Sequence, residues 1–368
     1  MFKGKSIFVP LIIVFLLVLL SVSCAFPASQ PSGLDTVDEA WEIISRDYVD
    51  KDKLDAEKIS QEAIRGMLEA IDDPYSGYLA PDIYQMQLNS IKGVYHGIGA
   101  YVTMKEDQLI VIAPIADSPA ETAGIRAGDE VIEIDGKPAS GMTLAEAVLK
   151  IQGPTGTEVR LLILHEGETE SIAVTIVRAE IAVKSVFLEM RQDVAYIRIT
   201  NFSGLTPTEL VEVLEGMPSD AEGIILDLRN NPGGALQAVV DVAGQFLEEG
   251  VVVRVMDNRG DESIMEVEEG TDTGLPMIVL VNEGSASGSE VLGGALQDYG
   301  RAKLAGSKTF GKGSVNMMFP LKDGSALYLT FARWFTPLGR PIEGLGLTPD
   351  FPLELEGDEL VDWALEHL

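Results

Sequence analysis

The stretch Asn282-Glu-Gly-Ser-Ala-Ser-Gly-Ser-Glu290 lies between an apolar run, Pro276–Asn282, and an apolar helical pattern, Ser287–Leu296. An earlier segment has the same order, since the apolar run Gly223–Leu228 precedes a glycine-bearing loop and the helical pattern Ala235–Phe246. Continuous apolar runs of this length are typical of strands buried in a parallel sheet. The repeated strand-loop-helix order predicts an α/β domain with its functional loops at the carboxyl ends of parallel strands.

Ser287 has two interpretations. It is followed three residues later by Glu290, so it fits a helix capping box, which is a purely structural role. Its neighbours Ala286 and Gly288 are small and leave the hydroxyl unshielded. The Gly288 N–H would lie at a helix N-terminus, where the dipole favours an oxyanion. Ser287 is therefore also a candidate nucleophile, and a serine nucleophile needs a base.

The best candidate for that base is a lysine. The chain has three histidines, His96, His165 and His367, and none is near a serine-rich helix start or in His-Glu-x-x-His spacing. A histidine-based triad and a zinc site are therefore poorly supported. Lys312 stands between two glycines in an apolar context, and burial would lower its pKa enough for it to act as a base. The competing interpretation is an ordinary solvated lysine.

The lysine also ends a partial phosphate-loop pattern. Gly306-Ser-Lys-Thr-Phe-Gly-Lys312 fits G-x-x-x-x-G-K, but Gly313 stands where a phosphate loop has Ser or Thr for magnesium. The sequence therefore disfavours an ATPase.

A second loop, Asp227-Leu-Arg-Asn-Asn-Pro-Gly-Gly234, follows the first apolar run. In a strand-to-helix turn, glycine relieves backbone strain, and this alone would explain the double glycine. The functional hypothesis is that Gly233 and Gly234 present backbone N–H groups to an anionic intermediate. We expect Asp227 and Arg229 to form a structural pair.

Residues 91 to 182 carry short β-rich runs around one predicted helix, Thr143–Ile151, with Thr143 as its cap and Glu146 three residues on. The loop Gly97-Ile98-Gly99-Ala100 opens this module. Its N–H groups suit capture of a peptide carboxylate beside an added strand, although a plain glycine turn is the alternative. Residues 36 to 71 have helical periodicity, which we expect to stop at Asp73-Pro74.

The N-terminus has the pattern of an export signal. Lys3 and Lys5 precede the apolar run Ile7–Val22. This run is short for a membrane span, which needs about 20 residues, and an uncleaved anchor is the alternative. The single cysteine, Cys24, is either the lipidated residue of a bacterial lipoprotein or an incidental residue of a discarded signal. We expect an exported protein, in the periplasm or on the extracytoplasmic face of the membrane, with membrane association through an anchor or lipid.

The net charge of −31 argues against nucleic-acid binding, because phosphates need a basic face. It argues equally against a polybasic lipid-binding surface.

Together these motifs resemble those of carboxy-terminal processing peptidases, also called tail-specific proteases. The motifs follow the chain order of that family. They are Asp72-Asp-Pro-Tyr-Ser-Gly-Tyr-Leu79, Gly97-Ile-Gly-Ala100, Ser118-Pro-Ala120, Ala123-Gly-Ile-Arg-Ala-Gly-Asp129, Gly153-Pro-Thr-Gly-Thr157, Asp227-Leu-Arg-Asn-Asn-Pro-Gly-Gly234, Gly284-Ser-Ala-Ser287, Thr309-Phe-Gly-Lys-Gly313 and Thr336-Pro-Leu-Gly-Arg340.

The resemblance implies that Ser287 is the nucleophile and Lys312 the general base, with Gly234 and Gly288 as oxyanion donors. It implies peptide binding at residues 97 to 100, and no metal or organic cofactor. Asn316 is a departure, because the family usually has a glutamine there that supports the dyad. A shorter amide either still reaches the lysine, directly or through water, or leaves it poorly oriented.

The predicted fold class is multidomain α/β. Its parts are a signal or lipoprotein signal at 1–26, an N-terminal helical region at 34–90, a PDZ-like domain at 91–182, a crotonase-like α/β serine peptidase core at 183–350, and an acidic C-terminal tail at 351–368. The expected function is an exported serine endopeptidase that cleaves near accessible protein C-termini, with the PDZ-like domain gating access to Ser287. The alternative is a PDZ-bearing peptide-binding or scaffold protein with weakened or lost catalysis, which Asn316 motivates.

Overall fold

The computed structural model describes residues 33–105, 107–142 and 144–368. The predicted export signal, Cys24 and the Thr143 cap lie outside these residues. The chain forms two compact units, and the boundary between them lies between Met67 and Leu68.

The first unit holds two amphipathic helices, α1 at Gly33–Asp47 and α2 beginning at Ala56, with a 3₁₀ turn at Lys51–Lys53 between them. Helices therefore lie where the sequence periodicity predicts them. In α1, Asp35 in the first turn and Arg46 in the last turn complement the helix dipole. No helix among the described residues is long and apolar enough to cross a membrane.

The second unit begins at Leu68, and α2 ends one residue later at Glu69, five residues before Pro74. A short strand, β1 at Gly77–Leu79, and a helix, α3 at Pro81–Lys92, follow. Proline at the first helical position costs no hydrogen bond, and Gly93 ends α3 with a left-handed φ of 79°.

The β-rich module is an antiparallel sheet that the chain enters and leaves through a two-stranded ribbon. The ribbon strands are β2 at Val94–Gly97 and β9 at Ala179–Ala182. Between them lie β3 at Ala100–Lys105, β4 at Gln108–Pro114, α4 at Pro119–Thr122, β5 at Glu130–Ile134, β6 at Lys137–Pro138, α5 at Leu144–Ile151, β7 at Glu158–Leu164 and β8 at Ile172–Val177. The sheet order is β3-β4-β5-β7-β8, with β6 on β5. Alternate residues of these strands, such as Leu161 and Ile163, are fully buried beneath α5.

The α/β core has a six-stranded sheet and a smaller antiparallel sheet. Its elements are β10 at Val186–Arg191, β11 at Val194–Ile199, α6 at Thr206–Glu215, β12 at Gly223–Asp227, α7 at Leu236–Ala243, β13 at Gly250–Asp257, β14 at Glu262–Val267, β15 at Met277–Val281, α8 at Gly288–Asp298, β16 at Lys303–Gly306, β17 at Ser314–Pro320, β18 at Ala326–Phe335, β19 at Phe351–Pro352 and α9 at Gly357–His367.

The larger sheet has the order β10-β11-β12-β15-β16-β19, and only the β10–β11 pair is antiparallel. Every residue of β12 and β15 is buried, as their continuous apolar sequences predict. The smaller sheet has the order β1-β18-β13-β14, with β17 on β18. It places residues 77–79, from the start of the unit, beside β18, which also pairs with the strand that follows Lys312.

Residues 351–368 are part of this core and not an appended tail. β19 pairs with β16, and α9 buries Leu360, Val361 and Ala364 against the face of the sheet that carries Ile225 and Leu280. The acidic residues of this segment are all exposed, both on α9 and in the stretch before it.

Arg178 fixes the C-terminal end of α5 in the β-rich module. Its guanidinium is 8% exposed and donates hydrogen bonds to the carbonyl oxygens of Lys150, Ile151 and Glu158 and to the hydroxyl of Thr157, at 2.7 to 3.0 Å. The last carbonyls of a helix have no partner within the helix, so this one side chain satisfies groups that burial would otherwise leave unpaired.

We therefore expect Arg178→Ala to destabilise the module locally by about 3 kcal/mol, because several buried carbonyls lose a charged donor. Hydrogen exchange followed by mass spectrometry should show protection of α5 falling about a hundredfold. Arg160→Ala is the matched control, since Arg160 is exposed and pairs with Asp135 through its backbone. Equal protection of α5 in the two variants would contradict the assignment.

Candidate active site

Ser287 stands in a sharp strand-to-helix turn. Strand β15 ends at Val281, and α8 begins at Gly288. The Ser285 hydroxyl donates to the Leu228 carbonyl at 2.8 Å and ties this turn to the end of β12. Ser287 itself has a φ of +51°, which for a non-glycine residue costs about 1–3 kcal/mol. Such strain persists only where the surrounding structure enforces it, and here it presents the serine at the rim of a cavity.

The residues proposed for catalysis come together in that cavity, which has a volume of about 560 Å³. They are separated widely in sequence but share its lining: Gly234, Ser287, Gly288, Lys312 and Asn316. Helix α3 contributes one wall, and β17 and β18 contribute another. Among the described residues, no cluster of three or more His, Cys, Asp or Glu side chains could hold a metal ion.

The backbone N–H groups of Gly234 and Gly288 face no acceptor among the described residues and belong to residues that line this cavity. The N–H of Gly233 is already used, because it donates to Asn231 Oδ1 at 2.9 Å. Gly233 has a φ of +99°, and a Cβ there would lie 2.6 Å from the Gly288 nitrogen. The two glycine loops therefore approach each other closely, and the predicted donors Gly234 and Gly288 keep their N–H groups unpaired among the described residues.

Lys312 is half-buried, and burial lowers the pKa of its ammonium, while the negative charge of Glu343 raises it. Its Nζ atom makes no hydrogen bond to Ser287 or Asn316 within the described chain and lies 5.2 Å from the centre of the Tyr75 ring. Catalytic hydrogen bonds often tighten only when substrate is bound, so this geometry is compatible with a resting base.

Asn316 does not support the lysine by a direct hydrogen bond. Its Nδ2 donates to the carbonyl of Tyr75 at 3.0 Å and to Thr330 Oγ1 at 3.2 Å. A β-bulge between Val315 and Asn316 accompanies this arrangement. The amide therefore connects β17 to the turn that carries Tyr75.

Glu290 is the site residue that sequence reasoning treated only as a cap. It is fully buried, and its carboxylate accepts hydrogen bonds from the N–H groups of Ser287 (2.9 Å), Gly311 (2.7 Å) and Lys312 (2.9 Å) and from Thr309 Oγ1 (2.6 Å). Burial raises the pKa of Glu290, and these hydrogen bonds oppose that effect. The capping-box pairing is present, as the Ser-x-x-Glu pattern predicts. Glu290 also joins the loop of Ser287 to the loop of Gly311 and Lys312. The available signal was a carboxylate in an otherwise apolar helix.

Asp227 and Arg229 form the structural pair that the sequence predicts. Arg229 donates to both oxygens of the buried Asp227 and to the carbonyl of Gly357. The Tyr196 hydroxyl also donates to Asp227, and burial with this contact raises the pKa of Tyr196 to about 12. This cluster lies at a different cavity from Ser287.

The loop at residues 97–100 lines a separate cavity of about 300 Å³ in the β-rich module. Its carbonyls are used internally, since Ile98 accepts from the Ala120 N–H, and Gly99 accepts from the Ile115 N–H and Ser118 Oγ. The N–H groups of Ile98 and Gly99 donate to no acceptor in the described chain. The loop therefore offers donors, as carboxylate capture requires.

The sequence matches three protein-family descriptions along its length. Residues 193–353 match Peptidase family S41, residues 110–164 match the PDZ domain, and residues 23–82 match the Activating protease CtpB N-terminal domain.

Individual proteins agree with this assignment over most of the chain. It is 40% identical over 308 residues to the carboxy-terminal-processing protease of Bartonella bacilliformis, covering 82% of this chain and 70% of the relative. It is 34% identical over 333 residues to the carboxy-terminal processing protease CtpB of Bacillus subtilis, with coverages of 89% and 69%. The structure of photosystem II D1 C-terminal processing protease is similar with a TM-score of 0.51 at 30% identity, covering 86% of this chain and 92% of that one. The chain therefore belongs to the carboxy-terminal processing protease family and is a serine-type peptidase with a PDZ domain, N-terminal helices and an α/β core.

Proposed function

We propose that this peptidase is exported, binds the C-terminal tail of a protein substrate at its PDZ domain, and cleaves nearby with Ser287 as nucleophile and Lys312 as base. The observation that carries the proposal is the shared cavity, where Ser287 and Lys312 meet two unpaired N–H donors. The export part is supported by the sequence of residues 1–26, with Cys24 as a candidate lipidation site.

The chemistry follows from this arrangement. Neutral Lys312 takes the proton of the Ser287 hydroxyl as Oγ bonds to the substrate carbonyl carbon. The carbonyl oxygen becomes an oxyanion and receives hydrogen bonds from the Gly234 and Gly288 N–H groups. The C–N bond then breaks, and the leaving amine takes the proton from Lys312. A water molecule, deprotonated by the same lysine, then attacks the carbonyl carbon of the acyl-enzyme. The ester C–Oγ bond breaks, and Lys312 returns the proton to Ser287 Oγ.

Tail capture is assigned to the loop at 97–100 and to β3. Strand β3 lies at the edge of the PDZ sheet, so a substrate strand can pair beside it. A terminal carboxylate would then meet the free N–H groups of Ile98 and Gly99. Substrates with accessible C-termini follow from this geometry, and the scaffold alternative is not favoured for a member of a peptidase family.

Ser287→Ala and Lys312→Ala should each lower kcat/KM for cleavage of a tail-bearing peptide by at least about a thousandfold, because each removes a member of the dyad. The matched control is Lys308→Ala, an exposed lysine in the same loop that should keep the wild-type rate. Wild-type cleavage by either dyad variant would contradict the assignment, and a wild-type protein that binds tails without turnover would favour the scaffold alternative.

The pH profile should report a lysine base with a lowered pKa. Burial disfavours the ammonium form, so kcat/KM should rise with pH and level off above the pKa of Lys312, at a midpoint below the ordinary value of about 10.4. Initial rates between pH 5 and pH 10 measure this midpoint. A profile that is flat over this range, or a midpoint at the ordinary lysine value, would exclude Lys312 as the base.

Glu290→Gln should lower kcat by about 10- to 100-fold and leave KM for a tail peptide nearly unchanged. The amide of glutamine presents an NH₂ group to backbone N–H donors that need an acceptor. The loops of Ser287 and Lys312 therefore lose the group that holds them together, while tail binding by the PDZ domain is unaffected. Glu283→Gln serves as the control, because Glu283 is exposed and its side chain pairs with Ser307. An unchanged kcat in Glu290→Gln would contradict the role of Glu290 in positioning the two loops.

A further inference from the structure

The turn Asp73–Ser76 has no part in the chemistry above, yet it lies against the proposed base. The Tyr75 side chain is half-buried, and the centre of its ring is 5.2 Å from Lys312 Nζ. An ammonium within about 6 Å of an aromatic ring is attracted by the negative face of the ring. The Tyr75 hydroxyl makes no hydrogen bond within the described residues, so the ring is the part of this side chain that the site uses.

The backbone of Tyr75 is fixed by the strands around it. Asp73 accepts from the Tyr75 N–H at 3.1 Å and from Ser76 Oγ at 2.6 Å. Ser76 Oγ in turn accepts from the Thr330 N–H of β18 at 3.0 Å, and the following strand, β1, pairs with β18. These contacts place the turn on the smaller sheet with little freedom.

Asn316 supplies the remaining contact. Its Nδ2 donates to the Tyr75 carbonyl at 3.0 Å, across 241 residues of sequence. Asn316 and Lys312 lie on the same stretch of chain, four residues apart, so the amide ties the segment of the lysine to the turn of the tyrosine.

We propose that Tyr75 is a positioning residue for Lys312, whose ring holds the Nζ atom in its resting place, and that Asn316 acts on the lysine through Tyr75. The inference rests on the proposed role of Lys312 as base. The Tyr75 ring, and not the Asn316 amide, is the group that contacts the lysine directly.

The electrostatic consequence has a definite sign. The ring stabilises the charged ammonium, as does the nearby Glu343 carboxylate, whereas burial destabilises it. The other titratable groups at Lys312 are Glu290, which binds its backbone N–H, and the Tyr328 phenol on the same cavity wall. Removing the ring should therefore lower the pKa of Lys312 further.

The test measures the lysine itself. The full-length protein is labelled with acetic anhydride across a pH series, and modification of Lys312 is quantified by peptide mass spectrometry. In Tyr75→Leu, which keeps an apolar side chain, the midpoint for Lys312 should move to lower pH by about half a unit. In Tyr75→Phe, which keeps the ring, it should match the wild type.

Peptide cleavage gives the second readout. Tyr75→Leu should lower kcat about tenfold with little change in KM, and Tyr75→Phe should restore the wild-type value. Asn316→Ala keeps the ring but frees its backbone, so it should shift both readouts in the same direction as Tyr75→Leu. The double variant should show less than the sum of the two effects.

The outcomes separate the two hypotheses. An unchanged labelling midpoint in both Tyr75→Leu and Asn316→Ala overturns the positioning role, whatever the rates. A shifted midpoint in Tyr75→Leu together with full cleavage by Lys312→Ala supports the contact and refutes the lysine as base. If Tyr75→Leu fails to fold, Asn316→Ala decides the same question on its own.

Discussion

One buried carboxylate connects the loop of Ser287 to the loop of Lys312. Glu290 accepts hydrogen bonds from the backbone of Ser287 on one loop and of Gly311 and Lys312 on the other. A buried carboxylate is costly unless donors surround it, and the converging N–H groups have no other acceptor here. The relative position of the Ser287 and Lys312 backbones is thus set by backbone hydrogen bonds to one carboxylate.

The sheet explains why these loops can converge. Strands β12 and β15 are parallel neighbours, so the loops that follow them meet at one edge. Ser285 and Ser289 tie the two loops by hydrogen bonds to the carbonyls of Leu228 and Asn231. This contact places the glycine turn beside Ser287 and leaves the N–H groups of Gly234 and Gly288 unpaired. A preorganised pair of donors stabilises charge without reorganisation during the reaction.

The smaller sheet supplies the second constraint. Lys312 lies just before β17, a strand of this sheet. The pairing of β1 with β18 brings the Asp73–Ser76 turn close to Lys312. Tyr75, from a distant part of the chain, then lies beside the lysine, and Asn316 binds the carbonyl of that tyrosine. The PDZ domain belongs to the same unit, and the chain enters and leaves it through the β2–β9 ribbon.

Local patterns predicted much of this architecture. The continuous apolar sequences of β12 and β15 predicted buried parallel strands, which the structure contains. The scarcity of histidine made Lys312 the predicted base. Long-range contacts could not be predicted in the same way. The Ser-x-x-Glu pattern indicated that Glu290 could cap a helix. Its hydrogen bonds from Gly311 and Lys312 form only because the loop after β16 packs against the start of α8. The partner of Asn316 and the packing of α9 depend likewise on tertiary pairing, which composition does not encode.

The most direct test of the account is covalent labelling by a serine-reactive probe, mapped by tandem mass spectrometry on the purified full-length protein. The account predicts modification at Ser287 in the wild type and its loss in Lys312→Ala, because the hydroxyl is a poor nucleophile without its base. Absence of label from Ser287 in a protein that still binds tail peptides, or equal labelling in Lys312→Ala, would contradict it.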